Sequence, residues 1–227
     1  SKRIPGKNIK SFLGKPIISY SILAAQESGV FDKIIVSTDS KEIATIARDY
    51  GAEVPFFRPP ELSDDFTGTN KVIAHSVKHY QGQEIDVEYV CCIYATAPFI
   101  KADYIKAGFE IIKKKKQLFV FSATSFAFPI FRSFAINEKE EVQLFWPKNY
   151  ESRSQDLPEA YHDAGQFYWG IPEGFVEDKC MFEKHSLALL LPRYLVQDID
   201  TLDDWERAEM MYLAMQIKQK NGELDEE

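Results

Sequence analysis

Cysteine is scarce in this chain: there are three in 227 residues, Cys91 and Cys92 side by side and Cys180 alone. That pattern fits neither a disulfide framework nor a zinc site. No apolar run approaches the roughly 18 to 20 residues that a spanning helix needs, and no basic start leads into a signal-like apolar segment. The expectation is a cytoplasmic protein with no membrane role. Positive charge is also in deficit, since 27 Lys and Arg against 35 Asp and Glu leave a net charge of −8. Broad nucleic-acid binding needs an extended basic face, so nucleic acid is excluded as a partner and any phosphate must be met by a local basic cluster. No G-x-S-x-G elbow and no nucleophile–base spacing occurs, which argues against covalent catalysis.

What is present is alternation. Apolar spacing predicts helices over 16–27, 41–50, 69–80, 103–116 and 202–220, and strands over 33–37, 53–57, 88–94, 118–123, 165–170 and 186–191. Helices and strands taking turns imply a largely parallel sheet. Between 126 and 162 the alternation fails, and FRSFAI and EVQLFW, divided by the charged turn NEKEE, read as two short strands of an inserted arm. This divides the chain into a main domain, 1–125 with 163–227, and an arm, 126–162.

Two segments carry chemistry. The opening SKRIPGKN sets Lys2, Arg3 and Lys7 around a Pro5–Gly6 turn. Backbone N–H groups and lysine heads in such a loop can wrap a triphosphate, though a solvated basic turn is about as common. Near the other end, Asp198 and Asp200 stand at i and i+2, so on an extended segment both carboxylates face one side and can hold Mg²⁺ together with nucleotide phosphates. A helix-capping role for Asp200 or Thr201 is the more frequent meaning of that pattern. His75 and His79 are four apart on a helix, but no Glu follows His75 and no third zinc ligand is evident. The Lys113 to Lys116 run suits a helix end facing water.

With these pieces located, the chain resembles the acylneuraminate cytidylyltransferase family over nearly its whole length. The matching residues are Ser1 to Asn8, Val36-Ser37-Thr38-Asp39, Arg58-Pro59-Pro60-Glu61-Leu62 and Asp198-Ile199-Asp200-Thr201. The pseudaminic acid branch is closer still, because Tyr161-His162-Asp163-Ala164-Gly165 reads as that branch writes it where sialate enzymes usually have Asn-Gly. The family's L-Q-P-T-S-P-L-R stretch is Ile93 to Ile100 here, without its glutamine and arginine. The family's first strand and its A-R-x-G lead-in would lie before Ser1.

The resemblance implies a three-layer α/β/α, Rossmann-like nucleotidyltransferase fold with a mostly parallel sheet, and an arm that makes a homodimer. It implies transfer of CMP from CTP to the anomeric hydroxyl of a nonulosonic acid, with pseudaminic acid first and N-acetylneuraminate or legionaminate as alternatives. A metal-dependent glycosyltransferase and a catalytically silent nucleotide-binding module are readings from other classes. In the expected roles, Ser1, Lys2, Arg3, Lys7, Asn8, Asp39 and Arg58 bind the nucleotide, and Asp198 and Asp200 hold Mg²⁺. Lys7 and Asp200 are catalytic, while Tyr94, Arg153, Gln155, His162, Asp163 and Gly165 face the sugar.

Overall fold

The structure is a computed structural model that describes residues 3–64 and 66–221. The opening loop ends in a single 3-10 turn, Lys7–Ile9, entered through Gly6 at φ 63. A small ribbon of β1 (Ser11–Phe12) and β2 (Lys15–Pro16) leads into helix α1 (Ile17–Ser28). Helix α2 (Lys41–Asp49) starts at Ser40, whose hydroxyl accepts from the Ile43 N–H. Helix α3 (Thr69–Gln81), strand β3 (Val90–Ile93), helix α4 (Ala102–Lys115) and strand β4 (Phe119–Ser125) follow. The arm carries β5 (Phe134–Ile136) and β6 (Val142–Leu144), paired antiparallel. Strand β7 (Tyr161–Gly170), helix α5 (Pro172–Val176), strand β8 (Ser186–Leu190) and helix α6 (Leu202–Lys220) complete the chain.

The central sheet has the order β3-β7-β4-β8. Strand β7 runs antiparallel to both β3 and β4, while β4 and β8 are parallel. Three strands therefore point one way and β7 is reversed between them. The expected parallel sheet holds for direction, but the chain leaving the arm re-enters from the opposite end. Residues 34–38 and 53–57 form a further parallel pair through the bridges Ile35 to Glu53 and Thr38 to Phe57.

Alternation along β4 produces the layers, because successive side chains of a strand point to opposite faces. Val120 joins Ala24 of α1 and Ile105 and Ile112 of α4 in one core, with Phe167 and Trp169 of β7. Phe119 faces the other way, onto Ile73 and Val77 of α3 and Phe175 of α5. The helix α4 can press this close because residue 108 is glycine: a Cβ there would stand 2.8 Å from Trp169 Cδ1. Among the described residues no helix is long and apolar enough to cross a membrane.

Candidate functional site

A third core cluster gathers the two ends of the chain. It buries Ile4, Phe12 and Ile17 with Phe99, Leu195, Ile199 and Trp205. Ile4 is 1% exposed and Ile199 0%, so the basic loop and the 198–201 segment share an anchor. Residues flanking a buried side chain on extended backbone point outward, and Asp198 is indeed exposed while the Asp200 side chain keeps 37% of its surface. The Asp-x-Asp segment is not a strand, however; it has no ladder partner, and the packing of Ile199 sets its direction.

This arrangement brings Asp200 against the basic loop. Arg3 Nη2 lies 2.9 Å from Asp200 Oδ1, and Lys7 Nζ lies 3.4 Å from the same oxygen. Lys7 also donates to the Ile199 carbonyl at 2.5 Å. An exposed ion pair such as that of Arg3 with Asp200 contributes about 0 to 1 kcal/mol, whereas burying an isoleucine contributes roughly 1.5 to 3 kcal/mol. The apolar anchor positions the charges. Ser1 and Lys2 lie outside the described residues. Asn8 is exposed within the 3-10 turn. Thr201 caps α6 in a reciprocal box with Asp204, so the capping meaning of this segment holds for Thr201.

Asp39 and Arg58 follow the carboxyl ends of the parallel pair. Arg58 Nη2 stands 3.8 Å from Asp39 Oδ1, its Nε donates to Ser63 Oγ at 3.1 Å, and its Nη1 donates to the Ser37 carbonyl at 3.4 Å. Ile9, beside the basic loop, packs into the same cluster as Val36, Ile43, Val54 and Ala95. The loop, this strand pair and the end of β3 are thus joined at one edge.

A cleft of ≈ 380 Å³ opens where β3 ends and β7 begins, lined by Thr69, Tyr94, Asp163, Tyr168, Cys180 and Phe182 among others. Because β7 is reversed, its first residues sit beside the carboxyl ends of β3 and β4, the edge at which open α/β sheets bind ligands. Asp163 Oδ2 accepts the Tyr168 hydroxyl at 2.5 Å, and Oδ1 accepts the Gly165 N–H at 2.8 Å. Gly165 has φ 63 and faces open space, so its requirement is backbone shape alone. Burial, then the bond to Asp163, push the Tyr168 hydroxyl far above its ordinary value. Tyr94 packs on Tyr168 with centroids 5.1 Å apart, and its hydroxyl is 3.3 Å from Thr69 Oγ1.

Of the expected sugar-side residues, the structure brings Tyr94 and Asp163 into this cleft, with Gly165 bonded to Asp163. His162 is exposed beside it, with its ring 4.7 Å from Phe126. Arg153 and Gln155 stay in the arm, where the Arg153 guanidinium is committed to Asp156 at 2.6 and 3.0 Å. Sequence reasoning missed Thr69, Tyr168 as a partner of Asp163, and the 178–182 segment. The aromatic residue five positions after Asp163 was a signal for Tyr168; nothing local marks Phe182, which reaches the cleft by packing on Phe121 at 5.0 Å. His75 and His79 pack on Phe56 at 4.7 and 4.8 Å. Among the described residues no group of three or more His, Cys, Asp or Glu is placed to hold a metal. A hollow of ≈ 640 Å³ lies in the arm itself, lined by Arg132, Phe134, Val142, Leu144 and Tyr150 among others.

The family model described as "Cytidylyltransferase" matches residues 1–214. The chain is 47% identical over 212 residues to a pseudaminic acid cytidylyltransferase of Campylobacter jejuni, covering 93% of this chain and 91% of that one. It is 30% identical over 212 residues to the CMP-N,N'-diacetyllegionaminic acid synthase of Legionella pneumophila, with the same coverage of 93% and 91%. In fold it is similar to a CMP:2-keto-3-deoxy-manno-octonic acid synthetase solved with CTP, at TM-score 0.67, 11% identity and 95% coverage of both chains.

Proposed function

The chain belongs to the cytidylyltransferase family, and on that premise we propose that it transfers CMP from CTP to the anomeric C2 hydroxyl of pseudaminic acid, releasing pyrophosphate. The hydroxyl oxygen bonds to the α-phosphorus as its proton passes to solvent, the bond from that phosphorus to the bridging oxygen breaks, and pyrophosphate departs with the electron pair. The observation that supports the reading is the convergence of Arg3 and Lys7 on Asp200 from opposite ends of the chain. Cations at that point meet the charge of a triphosphate, in a reaction that depends mainly on positioning and charge stabilisation.

Asp198 and Asp200 fit Mg²⁺ in the manner that ion favours, a few carboxylates completed by nucleotide phosphates and water rather than a full protein cage. When bound, Mg²⁺ supplies charge neutralisation at the phosphates. Asp39 and Arg58 flank the nucleotide at the neighbouring strand ends. Tyr94 and Asp163 take the sugar, and a homodimer through the arm completes the site, with Arg153 reaching the neighbouring subunit. CTP as co-substrate argues for the cytoplasm.

Initial rates of pyrophosphate release with CTP, Mg²⁺ and either pseudaminic acid or N-acetylneuraminic acid, at equal subsaturating concentrations, test this assignment. Pseudaminic acid should be preferred by at least about tenfold in kcat/KM. Equal rates, or faster release with N-acetylneuraminic acid, would reject the sugar and keep the transferase; no pyrophosphate with either would reject both.

A further inference from the structure

Asp163 is held more firmly than a contact residue on a flexible rim. Each of its oxygens takes one bond from β7, Oδ1 from the Gly165 N–H and Oδ2 from the Tyr168 hydroxyl. Tyr168 is itself 3% exposed and braced by Tyr94. Its hydroxyl stays a donor, because burial and the hydrogen bond to Asp163 both oppose its ionisation. An ionised carboxylate only accepts hydrogen bonds, and each oxygen offers more than one lone-pair direction. The group that the cleft presents is therefore a fixed, negatively charged acceptor at the carboxyl edge of β3 and β4.

Such a group selects by what it refuses as well as by what it binds. It welcomes an N–H, gives nothing to an ester oxygen at the same place, and repels a carboxylate. Nonulosonic acids carry a carboxylate at one end of the molecule and acylamino groups further along it. Resting on the function proposed above, we infer that Asp163, oriented by Tyr168 and Gly165, is a specificity-determining acceptor for an acylamino N–H of the sugar. It thereby fixes which end of the sugar enters the cleft. The sugar's own carboxylate is turned away from it, and Tyr168 is a positioning residue that acts through Asp163.

The test uses the full chain, CTP, 5,7-diacetamido pseudaminic acid and two isosteres in which the acetamido nitrogen at C5 or at C7 is replaced by oxygen, giving an acetoxy group. The wild-type chain should lose about 100-fold or more in kcat/KM with one of the isosteres, mainly through KM, because the ester oxygen returns no hydrogen bond to the fixed carboxylate and sets a lone pair against its charge. Asp163→Ala should shrink that nitrogen-to-oxygen ratio to within about threefold, with CTP affinity by calorimetry unchanged. A purely structural role for Asp163 would lower all rates and leave the ratio alone. If the alanine variant fails to fold, Asp163→Asn, which keeps an oxygen for the Gly165 N–H, should still reduce the ratio. Wild-type turnover of the parent sugar with neither isostere disfavoured, or a variant that turns over with the ratio intact, overturns the inference and leaves the function standing. No pyrophosphate from the parent sugar overturns both.

Discussion

Asp200→Ala removes a carboxylate that stands beside a buried residue without being buried itself. Ile199 remains in its cluster with Ile4 and Trp205, so the fold should survive, with a melting temperature within about 2 °C of wild type. The charge that Arg3 and Lys7 meet is lost. Pyrophosphate release should fall by about 100-fold or more at every Mg²⁺ concentration, since a group serving metal and phosphates is worth several kcal/mol in the transition state. A folded variant with near-normal rates would remove Asp200 from the machinery. Ile199→Ala should do the reverse at first, costing about 2 to 5 kcal/mol of stability through the cavity it opens. The Asp-x-Asp pair and the basic loop were both legible in the sequence, as local patterns. Their meeting was not, because it is decided by the burial of Ile4 and Ile199 in a shared core, and isoleucines carry no motif.

At the scale of elements, α1, α2, α3, α4 and α6 were legible from their apolar spacing, three of them with a chemical start or stop, while the short α5 (Pro172–Val176) was not. Ser40 opens α2, Gly29 ends α1 at φ 64, and Thr201 opens α6. Strand direction was not legible. Nothing in the residues of β7 marks it as reversed; that follows from where the arm returns the chain to the sheet. The α6 cap yields a test with a sign. The Asp204 carboxyl is held below its ordinary range by the Thr201 hydroxyl, then by the Thr201 N–H. A carboxyl whose folded value is depressed contributes stability above its unfolded value, near pH 4, and loses it as pH falls through the folded value. Thr201→Ala should therefore cost about 1 kcal/mol near neutrality, which is about 2 to 4 °C in a chain of this size. The deficit should narrow below about pH 4 as Asp204 protonates in both proteins. Calorimetric scans of the two proteins at neutral and acid pH measure it, and a deficit independent of pH would show that the Thr201 hydroxyl contributes only by accepting the Asp204 N–H.

For the whole molecule, the arm is the part that a single chain leaves unfinished. Strands β5 and β6 are three residues each, and an isolated two-stranded hairpin is marginal in water. Phe131 and Trp146 pack on each other, with centroids 5.3 Å apart. Phe134, Ile136, Val142, Phe145 and Tyr150 nevertheless remain 52%, 65%, 64%, 60% and 69% exposed. Apolar groups gathered on one small element mark an interaction surface rather than scattered surface residues. The sequence displayed these aromatics but could not say which of them would find cover within the chain, since that depends on the short hairpin's register. A second copy is the occupant we expect. A self-complementary patch closes with two-fold symmetry, and burial of about 800 Å² per partner is the usual scale of a stable interface. The wild-type chain should be a dimer by light scattering at micromolar concentration. Ile136→Asp combined with Phe145→Asp places two carboxylates in the middle of that surface, where each would have to be buried without a partner. The double variant should be monomeric, with the melting temperature of the main domain little changed, because neither residue belongs to a core cluster of the central sheet. Its KM for the sugar should rise more than its KM for CTP, since the arm carries Arg153 while Lys7 and Asp200 lie in the main domain. A wild-type monomer with full activity would contradict the dimer, and a monomeric double variant with both constants unchanged would show that the arm serves assembly alone.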